Sequence, residues 1–217
     1  MIQKFEEVTG RYIEKIIGQE RLAYAMSDTS DLYDLIEWAE HGGYPGSVIM
    51  FYDFETGKIY QPFEKKRNVV YGIPVYANGF YYFLKGDYDT KKVILYRYIP
   101  EQEPEIMTEM NLEEVNLYNL RIVPDPVHVI SQDDTFVCYY PEKISFALKP
   151  EETVAFIEED KVYLEAWVEE GWDDINHRAS ENYRYYHKVI VKDYLGNTLS
   201  EEKGSLYQSQ DGTWWIS

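Results

Sequence analysis

The chain has 217 residues, 45% of them apolar and 17% aromatic, which is enough to build a core in one large domain or two small ones. Its 21 Lys and Arg face 39 Asp and Glu, a formal charge of −18, and a surface this acidic repels nucleic acid and anionic lipid, whose phosphates need clustered cations. Cys138 is the single cysteine, which excludes an internal disulfide framework and a cysteine-rich zinc site.

No run approaches 18 consecutive apolar residues. The opening Met1-Ile2-Gln3-Lys4-Phe5-Glu6-Glu7 lacks the basic-then-apolar pattern of a secretion signal, so a cytoplasmic protein is expected. The 22 tyrosines point to strands, because Tyr suits a half-buried pleated surface with its hydroxyl still wet.

In chain order, Tyr12–Ile17 and Leu22–Met26 read as a first strand pair around the turn Gly18-Gln19-Glu20. One helix is expected, over residues 31–41. Leu32, Leu35, Ile36 and Ala39 fall on one face, Ser30 can cap the start, and Gly42-Gly43 with Pro45 stops the end. Trp38 leaves the side of that stripe, toward a neighbouring sheet edge.

Ser47–Phe54 and Lys58–Phe63 form a hairpin whose loop uses Gly57. Pro74–Tyr76 pairs with Phe80–Leu84, and Lys92–Ile99 is a strand stopped by Pro100 and followed by a solvated acidic loop at 101–105. Further pairs are Val127–Ile130 with Phe136–Tyr140 and Val154–Ile157 with Val162–Trp167. They are followed by His187–Tyr194 with Thr198-Leu199 around Gly196, and then Ser205–Tyr207 with Trp214–Ile216.

A strand, a short polar turn and a second strand thus recur five times, about 50 to 60 residues apart except at the third-to-fourth step. Where the spacing is full, the gap holds a second hairpin. Four antiparallel strands per repeat is the unit of a propeller blade, so the pattern resembles a degenerate β-propeller over roughly residues 11–217. It has neither a Trp-Asp dipeptide at blade ends nor a kelch double glycine. The expected fold is therefore mainly β, a small or incomplete propeller of antiparallel hairpin repeats with one short inserted helix, the alternative being a β-sandwich or meander. The third repeat reads as lacking its outer hairpin, and Trp214 and Trp215 would sit beside the first blade. One domain is expected over 1–217, with insertions at 27–46 and 169–182.

Chemistry is harder to find. Asp133-Asp134 and Glu158-Glu159-Asp160 fall at turn tips, where acids are favoured for turn geometry, and Asp87-Tyr88-Asp89 lacks the glycine and distal acid of a calcium loop. Glu64-Lys65-Lys66-Arg67 reads as a turn or strand-edge cluster. Four histidines have no metal-ligand spacing: His128 alternates with Val127 and Val129 and is expected on a polar face, and His41 suits a helix end. Cys138 reads as a buried structural thiol. No nucleophile elbow, phosphate loop or dinucleotide fingerprint is present, so the reading leans away from an enzyme, with no cofactor and no metal.

The stretch 169–182 is longer than a hairpin needs, and long loops on a regular scaffold often carry function. Trp172 among Asp173, Asp174, His177 and Arg178 offers an apolar anchor with a charged rim, and Trp38 on the helical insertion is the second candidate. The expected function is that of a non-enzymatic acidic protein that binds a protein partner, one version being an inhibitor or immunity-type protein masking a basic target. The alternative is a carbohydrate-binding module or glycosidase that uses aromatic stacking and carboxylates.

Overall fold

Successive side chains of a strand leave opposite faces, and in the strand Phe80–Asp87 both faces are buried. Tyr81 and Phe83 pack to one side, Tyr82 and Leu84 to the other, so this strand lies in a sheet covered on both sides. The rest of the architecture follows from that requirement. The computed structural model describes residues 2–28 and 31–217.

The first sheet holds β1 (Glu14–Lys15), β2 (Leu22–Met26), β3 (Ile49–Asp53) and β4 (Ile59–Tyr60), in that order. The second holds β5 (Val69–Tyr71), β6 (Val75–Ala77), β7 (Phe80–Asp87), β8 (Lys92–Tyr98) and β9 (Glu105–Asn111), with β5 and β6 sharing one edge of β7. The third runs β10 (Arg121–Val123), β11 (His128–Gln132), β12 (Thr135–Tyr140), β13 (Ile144–Ala147). The fourth runs β14 (Glu152–Glu158), β15 (Lys161–Asp173), β16 (Arg178–Asp193), β17 (Thr198–Lys203). A last hairpin pairs β18 (Leu206–Gln208) with β19 (Trp214–Ile216). Pairing is antiparallel throughout these sheets.

Three apolar clusters lie one between each consecutive pair of sheets. Ile16, Tyr24 and Phe51 of the first meet Tyr71, Phe83 and Tyr96 of the second. Leu84, Val93 and Leu95 of the second meet Ile122 and Val129 of the third, and Ile130, Phe136 and Phe146 of the third meet Val154, Leu164 and Ile190 of the fourth. The last hairpin packs on the fourth sheet by stacking Trp214 on Phe156 at 4.8 Å, while its turn touches the first, Gly18 donating to the Gln210 carbonyl at 2.9 Å. The protein is thus mainly β, a succession of antiparallel hairpin sheets with one inserted helix.

Several expectations are corrected. The third sheet is complete, because Ile144–Ala147, too short to stand out in the sequence, supplies its fourth strand with Ile144 and Phe146 inward. The acidic stretch after Pro100 leads into a full strand, β9, whose exposed face tolerates Glu105 and Glu109. His128 is buried, not on a polar face, and its Nδ1 sits 2.8 Å from the Pro126 carbonyl oxygen.

The helix, α1, is shorter than expected and spans Asp34–Glu40. Ser30 lies outside the described residues; Tyr33 occupies the N-cap position without a side-chain bond, and Asp31 instead accepts from the Tyr33 amide. Leu32 and Leu35 are buried as expected, whereas Ile36 is exposed. A Cβ at Gly86 would fall within 2.9 Å of methyl carbons of both leucines, so a residue without a side chain lets this element lie directly on the second sheet. Trp38 packs against Tyr44, ring centroids 4.7 Å apart, at the margin of the same cluster.

One turn device recurs. Asp53, Asp87, Asp173 and Asp193 each end a strand and accept backbone N–H groups two to four residues ahead. The first two are buried and carry a cation each: Arg21 at 2.8 Å from Asp53 and Lys66 at 2.6 Å from Asp87. Deeper still, Lys192 and Glu152 meet at 2.5 Å inside the fourth sheet.

Candidate functional site

The 169–182 stretch is not a loop. β15 and β16 continue through it as a two-stranded ribbon closed by a tight turn at residues 174–177. β14 covers β15 only as far as Ala166, and β17 covers β16 only from Lys188 onward. Trp167 and His187 face each other and still bond outward, to the Glu151 carbonyl and the Gly204 amide; beyond them, among the described residues, the two strands pair with each other alone, Glu169 opposite Tyr185.

Near the tip the register breaks between Glu170 and Trp172, around Gly171 at φ 76°. A Cβ there would meet the Asn182 carbonyl at 2.7 Å, so the bulge requires glycine on two counts. Beyond it Trp172 pairs with Ala179 and Asp173 with Arg178.

Alternation places Trp167, Glu169, Tyr185 and His187 on one face of the ribbon. Trp167 and Tyr185 lie nearly parallel, 18° apart with centroids at 6.5 Å, and Trp172 meets the edge of Tyr183 at 6.2 Å. All four rings are exposed, Trp172 by 43% and Tyr185 by 55%. Carboxylates hold two tyrosine hydroxyls of the ribbon: Tyr183 donates to Glu169 at 2.8 Å and Tyr186 to Glu170 at 3.0 Å, while Arg184 bridges Glu170 at 2.6 Å. Hydrogen bonding to those carboxylates raises the pKa of both tyrosines.

The expected site residues separate. Asp173 is a turn former: it accepts from Ile175, Asn176 and the Asn176 side chain, whose bond lowers its pKa. Asp174, His177 and Arg178 are exposed at the tip, His177 at φ 48°. Trp172 is exposed on the ribbon, and Trp38 belongs to the helix and its packing on Tyr44, so the structure gives these two tryptophans different partners. Sequence reasoning missed Trp167, Tyr183 and Tyr185; the alternating aromatics of 183–187 were the available signal.

A second feature is shared by the hairpin units. A cavity of about 530 Å³ is lined by residues from all five, among them Lys15, Tyr76, Arg121, Ala155, Gln208 and Trp214. Among the described residues, no group of three or more His, Cys, Asp or Glu is placed to hold a metal ion. No helix among them is long and apolar enough to cross a membrane. No protein-family model, no curated protein and no solved structure matches this chain.

Proposed function

We propose that this protein is a propeller-like scaffold that holds out the β15–β16 ribbon to a protein partner with a basic surface. The observation that carries the reading is the ribbon itself: two strands that outrun their sheet and present four exposed rings among carboxylates. An isolated two-stranded ribbon is marginal in water, and it gains burial only when something covers it. Exposed aromatics of this kind serve as interface anchors, and the surrounding negative charge speeds encounter with a cationic surface and sets its register.

The test places a photo-crosslinking amino acid at position 172 and, as a control, at the exposed turn residue Leu195, in cells that produce the protein. One protein captured from position 172 and not from 195 is expected. Its affinity should fall steeply with added salt, and Trp172→Ala should weaken it about tenfold or more. Identical capture from both positions, or salt-insensitive binding of the captured protein, overturns the reading.

A further inference from the structure

Among the described residues the fully buried carboxylates and lysine are paired, whereas the half-buried Lys85 and Arg121 are not. Asp53 has Arg21, Asp87 has Lys66, and Glu152 has Lys192. Arg121, on the innermost strand of the third sheet, has no acid within ion-pair distance among the described residues, although acids outnumber basic residues 39 to 21. Its guanidinium is held by neutral oxygens only. Nη2 donates to Gln132 Oε1 at 3.0 Å and to the Val154 carbonyl at 2.6 Å, and Nη1 reaches the Asn119 carbonyl at 3.4 Å. Among the described residues Nε and one Nη1 hydrogen have no partner, and burial lowers the pKa of the group.

Those contacts fix the guanidinium in place on the wall of the central cavity, and Lys15, likewise without an acid partner among the described residues, lines the same space. The volume, about 530 Å³ and partly open to solvent, is large enough to admit a small organic molecule. Ile16, Ile122, Val123, Pro74 and Trp214 supply apolar wall, while Asp125 and Asp211 also line the cavity. A polyanion such as a nucleotide would meet those two acids and the −18 field of the whole chain. A single negative charge on an apolar body meets a cation without that penalty.

We propose that the central cavity is a binding site for a monocarboxylate with an apolar or aromatic body, its carboxylate on Arg121 and Lys15. The inference is independent of the ribbon. A carboxylate can arrive as a free organic acid or as the C-terminus of a peptide, and the chemistry at Arg121 is the same for both.

The experiment titrates the full chain with 3-phenylpropionate and its amide, and with N-acetyl-Ala-Phe carrying a free or an amidated C-terminus. Binding is followed through the Trp214 indole and Arg121 Nε–H resonances. Saturable binding of the carboxylates, with the amides about tenfold to a hundredfold weaker, is expected. The tighter carboxylate identifies the source, peptide end or free acid. Arg121→Gln should abolish the preference for carboxylate over amide, and Lys15→Gln should reduce it severalfold. Arg121 also ties the third sheet to the fourth; if its variant fails to fold, the acid–amide comparison on the unaltered chain and the Lys15→Gln variant decide. No saturable response to any carboxylate, equal binding of acid and amide, or a folded Arg121→Gln that keeps the preference overturns the proposal.

Discussion

Gly18 in the turn of the first hairpin donates its backbone N–H to the carbonyl of Gln210 in the turn of the last, at 2.9 Å. The first and last hairpins are joined by this bond, while Trp214, four residues on, stacks on Phe156 of the fourth sheet. The last hairpin therefore touches both neighbours it would have in a circular arrangement, and it walls the central cavity. Trp214→Ala should cost about 2 kcal/mol, less than a fully buried tryptophan because this one is half-exposed. Urea unfolding checks the value, and no measurable change would mean that the hairpin is not held by this stack.

The Lys192–Glu152 pair is nearly inaccessible on both sides, and Glu152 also accepts the Lys149 amide. Lys192→Met removes one charge and strands the other, with an expected loss of about 3–5 kcal/mol. Lys192→Met combined with Glu152→Gln should recover most of that loss, because no bare charge remains. A double-mutant cycle from urea midpoints measures the coupling.

Acid stability should depend on Asp53 and Asp87. Burial pushes both carboxyls up, but Arg21 with the Glu55 and Thr56 amides, and Lys66 with the Thr90 amide, outweigh it, so both sit below the usual carboxylate range. A carboxyl whose folded pKa is depressed contributes stability above its unfolded value, near 4, and loses it as pH falls through the lowered folded value. Arg21→Gln should therefore cost about 1–3 kcal/mol at neutral pH, a deficit that shrinks as pH falls through the lowered folded pKa of Asp53. A deficit independent of pH would show that Arg21 acts by packing instead.

Cys138 is fully buried, its thiol donates to the Tyr140 carbonyl at 3.1 Å, and burial pushes its pKa up to about 12. Since only the thiolate reacts, the native protein should resist a thiol reagent at pH 8 and react once unfolded in urea. The rate of labelling then reports the opening of the third sheet. Rapid labelling without denaturant would contradict the burial.

Gly171→Val should disorder the ribbon without unfolding the sheet beneath, because the added atoms meet the Asn182 backbone while Ala166 and Ile190 remain covered. Trp172 emission should shift to the red with the thermal midpoint unchanged. Trp172→Ala, by contrast, should leave both the ribbon's hydrogen-exchange pattern and the midpoint within about 0.5 kcal/mol of the original. A midpoint lowered well beyond that would make Trp172 part of the core.

Local chemistry was legible along much of the chain. Gly57 and Gly196 marked their turns through the positive φ they adopt, and the continuous aromatic run Phe80–Leu84, bounded by the Asn78-Gly79 turn, marked a strand. The ribbon reads as a loop because both its faces are largely solvated: the aromatics of 183–187 carry a short alternation, but the acids around Gly171 look like turn residues and outweigh it. His128 misled for a related reason. A polar residue between two valines implies a polar face unless another element covers it, and here that face is covered.

Sequence alone determined the hairpins, their turns, the helix stop at Gly42-Gly43 and the net charge of −18, since each depends on residues near one another in the chain or on a sum over all of them. Tertiary structure alone decided which strands outrun their sheet, how the last hairpin meets the first, and that Arg121 lines a cavity with no acid within ion-pair distance among the described residues. Those are relations among residues far apart along the chain, set by how buried faces stack, and no local pattern encodes the absence of a neighbour.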